Sequence, residues 1–150
     1  MSNLVQSYTL MLVKDKSVDY STYGQVTSPQ LFINIVNEMY GMDSRAEECV
    51  VIMALDVRKK PIGVFFVSQG SLTSSDVHPR EVFKRLLLNN AESFIIGHNH
   101  PSGNVEPSNN DLNIMKRLSE VGELVGIKLV DFLIIGNGNY YSYEERKGTR

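Results

Sequence analysis

Cysteine is nearly missing from these 150 residues. Cys49 stands alone, so no disulfide closes within the chain, and neither a Cys-rich zinc module nor a Cys-x-x-Cys redox pair can be assembled. No apolar run reaches the roughly eighteen residues of a membrane helix. No basic N-terminal segment leads through an apolar stretch to a cleavage site, which sets a cytoplasmic protein as the expectation. Neither sign of charge dominates: 15 basic against 17 acidic residues leave a net charge of −2, so charge gives no support for nucleic-acid or membrane partners. Arg58-Lys59-Lys60 and Lys116-Arg117 read as solvated surface. Internal repeats, low-complexity tracts and linkers are absent. So is a G-x-G-x-x-G loop, since Gly136-Asn137-Gly138 reads as a turn between strands. The H-x-E and P-C-x-x-C pair of the zinc nucleobase deaminases is missing as well.

What is present is ordinary globular composition, 42% hydrophobic and 21% charged, enough for one domain over residues 1–150. Residues 5–14 (VQSYTLMLVK) read as a strand, followed by a polar loop over 15–27; residues 1–27 thus form an N-terminal strand-and-loop extension. Ser28-Pro29 opens a helix with serine as N-cap and proline in the first turn. Its apolar stripe is Leu31, Phe32, Ile35, Val36, Met39 and Tyr40, and Gly41 ends it. Residues 48–56 and 62–68 are strand-like runs around the turn DVRKKP. A second helix starts at Pro79 and runs to about Asn90, burying Val82, Phe83, Leu86 and Leu87. Ser74 and Ser75 are alternative caps for it. Phe94-Ile95-Ile96 is a short buried strand. A third helix follows Ser108 as far as Val125, with Leu112, Met115, Leu118 and Val121 on its apolar face. Residues 127–135 and 140–143 are strands flanking the turn GNGN. The order βαββαβαββ favours a mixed β-sheet with helices packed on its faces, an α/β sandwich.

Two of the three histidines lie in GHNHPSGNVEPSNND, residues 97–111. Side chains two apart on an extended segment share a face, so His98 and His100 converge while Asn99 turns away. Asp111, on the first turn of the next helix, can fold back beside them. Two nitrogens and one carboxylate, with a fourth position left to water, make the open arrangement of a catalytic zinc; iron or manganese also suits that donor set. Ser108-x-x-Asp111 reads equally as a capping box. The two readings coexist, because a cap fixes the side chains without consuming every lone pair. His78, beside Pro79, reads as a partly exposed helix-start residue rather than a ligand. Three consecutive letters HNH do not make an HNH nuclease, whose residues spread over a ββ-metal-α unit.

His98-x-His100-x7-Ser108-x2-Asp111 matches the JAMM signature of JAB/MPN metalloprotease domains. The stretches GSLTSSDVHPREVFKRLLLNNA (70–91), IIGHNHPSGNVEPSNND (95–111) and GIKLVDFLIIGNGNYYSYEER (126–146) resemble its bacterial RadC branch. The resemblance implies a JAB/MPN-like, cytidine-deaminase-like sandwich. It implies zinc held by His98, His100 and Asp111, an upstream glutamate as general acid/base, and Ser108 as oxyanion stabiliser. Glu48 fits the family register for that glutamate better than Glu47, and adjacent strand residues cannot share one role. The implied activity is zinc-dependent hydrolysis of peptide or isopeptide bonds in an unidentified peptide or protein substrate. The rival reading is a metal-binding interaction module associated with DNA repair or metabolism, without peptidase activity. Two departures stand out. RadC proteins commonly carry an N-terminal helix-hairpin-helix region, for which this chain offers no counterpart, so it reads as a short form. Phe132 occupies a position where the family often has histidine after the aspartate, here Asp131.

Overall fold

The computed structural model describes residues 1–23, 28–70 and 77–148. Its elements are α1 (Pro29–Tyr40), β1 (Cys49–Leu55), β2 (Pro61–Gln69), α2 (Pro79–Leu88), β3 (Ser93–Asn99), α3 (Asn109–Val125), β4 (Lys128–Ile135), β5 (Tyr140–Ser142) and α4 (Tyr143–Lys147). The strands form one sheet in the order β2-β1-β3-β4-β5. β3 and β4 are parallel, joined by α3, and the other neighbours are antiparallel. This is the mixed sheet expected from alternating hairpins and helical crossovers.

Two-residue alternation divides the central strands between two cores. Val50, Ile52 and Ala54 of β1 face Val82, Phe83 and Leu86 of α2 and Ile114 and Leu118 of α3. Cys49, Val51, Met53 and Leu55 face the opposite way, against Leu31, Phe32, Ile35 and Val36 of α1. β1 and β3 are buried along their whole length, which fixes their register, since a slip of one residue would exchange the two cores. Gly97 lets α1 come close: a Cβ there would stand 2.5 Å from Cε1 of Phe32.

Several sequence expectations need correction. Residues 5–14 form no strand; residues 1–20 carry neither helix nor strand, and Val5, Tyr8, Met11 and Val13 are exposed. Leu10, Met11, Leu12 and Val13 are apolar at every position, so alternation gives the run no single face to bury. After β5 comes the short helix α4, capped by Ser142 and tied to the sheet through Asp131. The buried Asp131 carboxylate accepts from Ser142 Oγ at 2.6 Å and from the Glu144 amide at 3.1 Å. Burial pushes its pKa above the ordinary carboxylate value, against those hydrogen bonds. Leu87 is exposed, because α2 turns Val82, Phe83 and Leu86 inward. Ser74 and Ser75 lie outside the described residues; the N-cap of α2 is His78, whose Nδ1 accepts from the Arg80 amide at 3.1 Å.

The apolar face of α3 is also rotated from the expected one. Asp111, Ile114, Leu118 and Gly122 point inward, while Leu112 is exposed and Met115 and Val121 pack at the margin. Gly122 permits that rotation, since a Cβ there would meet the Ile127 carbonyl oxygen at 2.5 Å. The stripe that seats the helix is therefore the one that carries Asp111 into the protein.

Candidate metal centre

His98 and His100 leave the sheet at the C-terminal end of β3, and Asp111 enters on the first turn of α3. The carboxyl ends of parallel strands, facing the next helix N-terminus, are where open α/β sheets place their ligands. The chain turns sharply between them. The Gly103 amide donates to the His100 carbonyl at 2.9 Å, with Gly103 at φ +83°, in the left-handed region that favours glycine. That turn brings the Asn104 carbonyl to 2.7 Å from His100 Nδ1. Nδ1 therefore carries a proton and donates it, so in the neutral imidazole Nε2 is the nitrogen whose lone pair can bind metal.

Three ligating groups converge. His98 Nε2 and His100 Nε2 are 3.0 Å apart, His98 Nε2 is 3.1 Å from Asp111 Oδ1, and His100 Nε2 is 3.3 Å from Asp111 Oδ2. Donors bound at about 2.0–2.1 Å around a tetrahedral ion lie roughly 3.3 Å apart. The two imidazole nitrogens and the carboxylate are close enough to reach one ion, and among the described residues these three side chains form a group able to hold it, with one ligand atom from each within 4.8 Å of the others.

The cap and the ligand set share residues without competing. Ser108 Oγ accepts from the Asp111 amide at 3.0 Å, and Asp111 Oδ2 accepts from the Ser108 amide at 2.8 Å. Such a cap is worth about 1 kcal/mol, and it orients the carboxylate while leaving Oδ1 free of the cap. Ser108 is exposed, and its hydroxyl hydrogen is not used by the cap.

Exposure grades across the site. The side chains of His98 and Asp111 are 4% and 7% accessible and that of His100 is 14%, so the centre opens on the His100 side. Behind His98 lie Val50, Ile96, Ile114 and Phe132. Phe132 meets the His98 ring edge-on at 5.4 Å between centroids, so the aromatic that replaces the expected histidine packs a ligand. Phe132 also borders a cleft of about 890 Å³ between α3, β4 and α4, whose rim includes Glu106 and Pro107, directly before Ser108.

The upstream glutamates separate by face. Two-residue alternation back from Val50, the partner of His98, puts Glu48 on the same face of the sheet as Val50 and Ile52, and its charge acts on His100. Glu47 turns away, accepting from Gln69 Nε2 at 2.9 Å. Two further groups carry no sequence signal of their own. The Asn104 carbonyl is backbone and leaves no side-chain signal. Asn99 turns away from the histidines, as expected, and is buried on the far face.

Burial opposes ionisation of Asp111, but hydrogen bonds from His100 and His98 outweigh it and hold the carboxyl well below the usual carboxylate range. The Asp111 hydrogen bond raises His100 above its ordinary value. A metal must then displace a proton from His100 but none from Asp111. Apparent zinc affinity should therefore rise with pH through the ordinary histidine range and somewhat beyond, as His100 gives up its proton, then level off. Metal-free stability should move the other way: the His100 contribution is present below the ordinary histidine value and lost as pH rises through the raised one. Chelator competition from about pH 5.5 to 8.5 checks this; affinity independent of pH would contradict it.

Comparison with known proteins came to one answer. The family model of the RadC-like JAB domain matches residues 26–149. A UPF0758 protein of Clostridium acetobutylicum is 46% identical over 121 residues, covering 81% of this chain and 52% of that protein. A UPF0758 protein of Clostridium beijerinckii is 41% identical over 122 residues, with the same coverages. One from Clostridium tetani is 47% identical over 100 residues, 67% of this chain and 44% of its own length. The chain spans about half the length of the curated relatives it matches.

Proposed function

The chain belongs to the RadC-like JAB domain family, and from that premise we propose that it is a zinc-dependent hydrolase of amide bonds, peptide or isopeptide. The observation that carries this reading is the meeting of His98 Nε2, His100 Nε2 and the Asp111 carboxylate within 3.0–3.3 Å, because three protein ligands leave a fourth position for water. A zinc ion held there would supply a water with a pKa near 7 and a Lewis acid for the scissile carbonyl.

The chain's own groups do the rest. Glu48, put by strand alternation on the same face as Val50, would take up the attacking water's proton on its carboxylate and hand it to the leaving nitrogen. Ser108 Oγ accepts from the Asp111 amide, so its O–H is free to donate to the negative oxygen that develops on the scissile carbonyl. One such donor is worth roughly 3–4 kcal/mol. Asp111 remains ionised and unable to act as a base while it ligates. The cleft bordered by Pro107 and Phe132 offers room for an extended peptide on the Ser108 side.

The test is removal and return of the metal. Chelator-stripped protein should cleave no member of a broad fluorogenic peptide and isopeptide library, and stoichiometric zinc should restore cleavage. Protein that binds one metal yet cleaves nothing would contradict the hydrolase reading and leave a metal-binding interaction module in its place. Restoration by ferrous or manganous ion in preference to zinc would correct the choice of metal.

A further inference from the structure

The residue between the two histidine ligands, Asn99, is only 2% exposed and lies on the opposite side of β3 from the metal centre. A buried primary amide is costly unless its donors and acceptor find partners. Asn99 Oδ1 accepts from the Cys49 amide at 2.7 Å, and Nδ2 donates to the Glu47 carbonyl at 3.0 Å. Those groups belong to the two peptide units that flank Glu48.

The local strand geometry explains why a side chain is needed there. The β1–β3 ladder runs back to Val50↔His98. Beyond it β3 leaves β1, and the His100 amide donates to the Ile135 carbonyl of β4 at 2.8 Å. The Asn99 amide carries the same donor and acceptor as a peptide group and continues the ladder where the backbone no longer can. On the other edge, the Gly70 amide donates to the Glu48 carbonyl at 2.9 Å. The Glu48 backbone is thereby held from both sides.

We propose that Asn99 is a positioning residue that sets the Glu48 carboxylate toward the metal centre by clamping the peptide units on either side of it. This rests on the proton-transfer role given to Glu48 above. The clamp acts on the base and not on the ligands: His98 is placed by β3, His100 by its bonds to the Ile135 and Asn104 carbonyls, and Asp111 by the capping box. Six register pairs already bind β1 to β3, so what the clamp adds falls on the end of the strand that bears Glu48.

The test is a double-substitution cycle on the zinc-loaded full chain, joining Asn99→Ala to Glu48→Gln, with Asn99→Asp as the isosteric companion. Asn99→Ala should keep one zinc with affinity and KM within about threefold of wild type while kcat falls about 10²-fold, as for a group displaced by an ångström. In the Glu48→Gln background the same substitution should change kcat by no more than about threefold, because the two residues act as one unit. Asn99→Asp keeps the acceptor for Cys49 but sets an oxygen against the Glu47 carbonyl, so it should lose kcat in the same way; it also serves if the alanine variant does not fold. Equal losses in both backgrounds, or loss of zinc along with rate, would overturn the inference. If the wild type cleaves no amide, the hydrolase reading falls separately. Zinc-loaded crystal structures then decide: Glu48 should point at the metal-bound water in wild type and be displaced in Asn99→Ala, and an unmoved Glu48 overturns the inference.

Discussion

His98→Ala should bind zinc some 300-fold more weakly than the wild-type chain. Loaded sites of this kind are worth on the order of 10 kcal/mol, and one ligand of three carries about a third of it, which converts to that ratio. Nothing nearby can substitute: among the described residues the group able to hold an ion consists of His98, His100 and Asp111 alone. The ring is also a structural element, packed edge-on against Phe132 and backed by Val50, Ile96 and Ile114. Alanine therefore leaves a space in the core and lowers the melting temperature even without metal. Chelator competition on a variant shown by circular dichroism to be folded separates the two effects. Wild-type affinity in folded His98→Ala protein would remove the assigned centre.

Glu48→Gln should leave zinc binding intact and reduce amide hydrolysis by about 10²–10⁴-fold, the usual contribution of a positioned general base. Glutamine has the size and reach of glutamate but cannot take up a proton. Metal is retained because Glu48 is not among the converging ligands. The neighbouring Glu47→Gln is the internal control. Glu47 faces the other side of the sheet, bonded to Gln69, and its substitution should leave kcat unchanged. A reversal, with Glu47→Gln inactive and Glu48→Gln active, would mean that the strand face had been misassigned.

The candidate site was legible because its information is local. His98-x-His100 on an extended segment needs only the two-residue period of a strand to converge, and Ser108-x-x-Asp111 needs only the geometry of a helix start. The same period puts Glu47 and Glu48 on opposite faces. The third helix was harder. Leu112, Met115, Leu118 and Val121 form a plausible stripe, but the packing of Gly122 against Ile127 rotates the helix toward Ile114, and no periodicity announces a close backbone approach. The N-terminal run failed for a related reason: composition marks VQSYTLMLVK as strand-forming, yet a strand requires a ladder partner, and pairing is a property of the whole sheet. Asn99 and the Asn104 carbonyl were invisible because each acts on a backbone group distant in sequence or is itself one.

A zinc-loaded crystal measured on both sides of the zinc absorption edge tests the shared-ion claim most directly. One anomalous peak should appear about 2.0–2.1 Å from His98 Nε2, His100 Nε2 and a carboxylate oxygen of Asp111. Zinc seated elsewhere, or those three side chains diverging from one another with no metal between them, would contradict it.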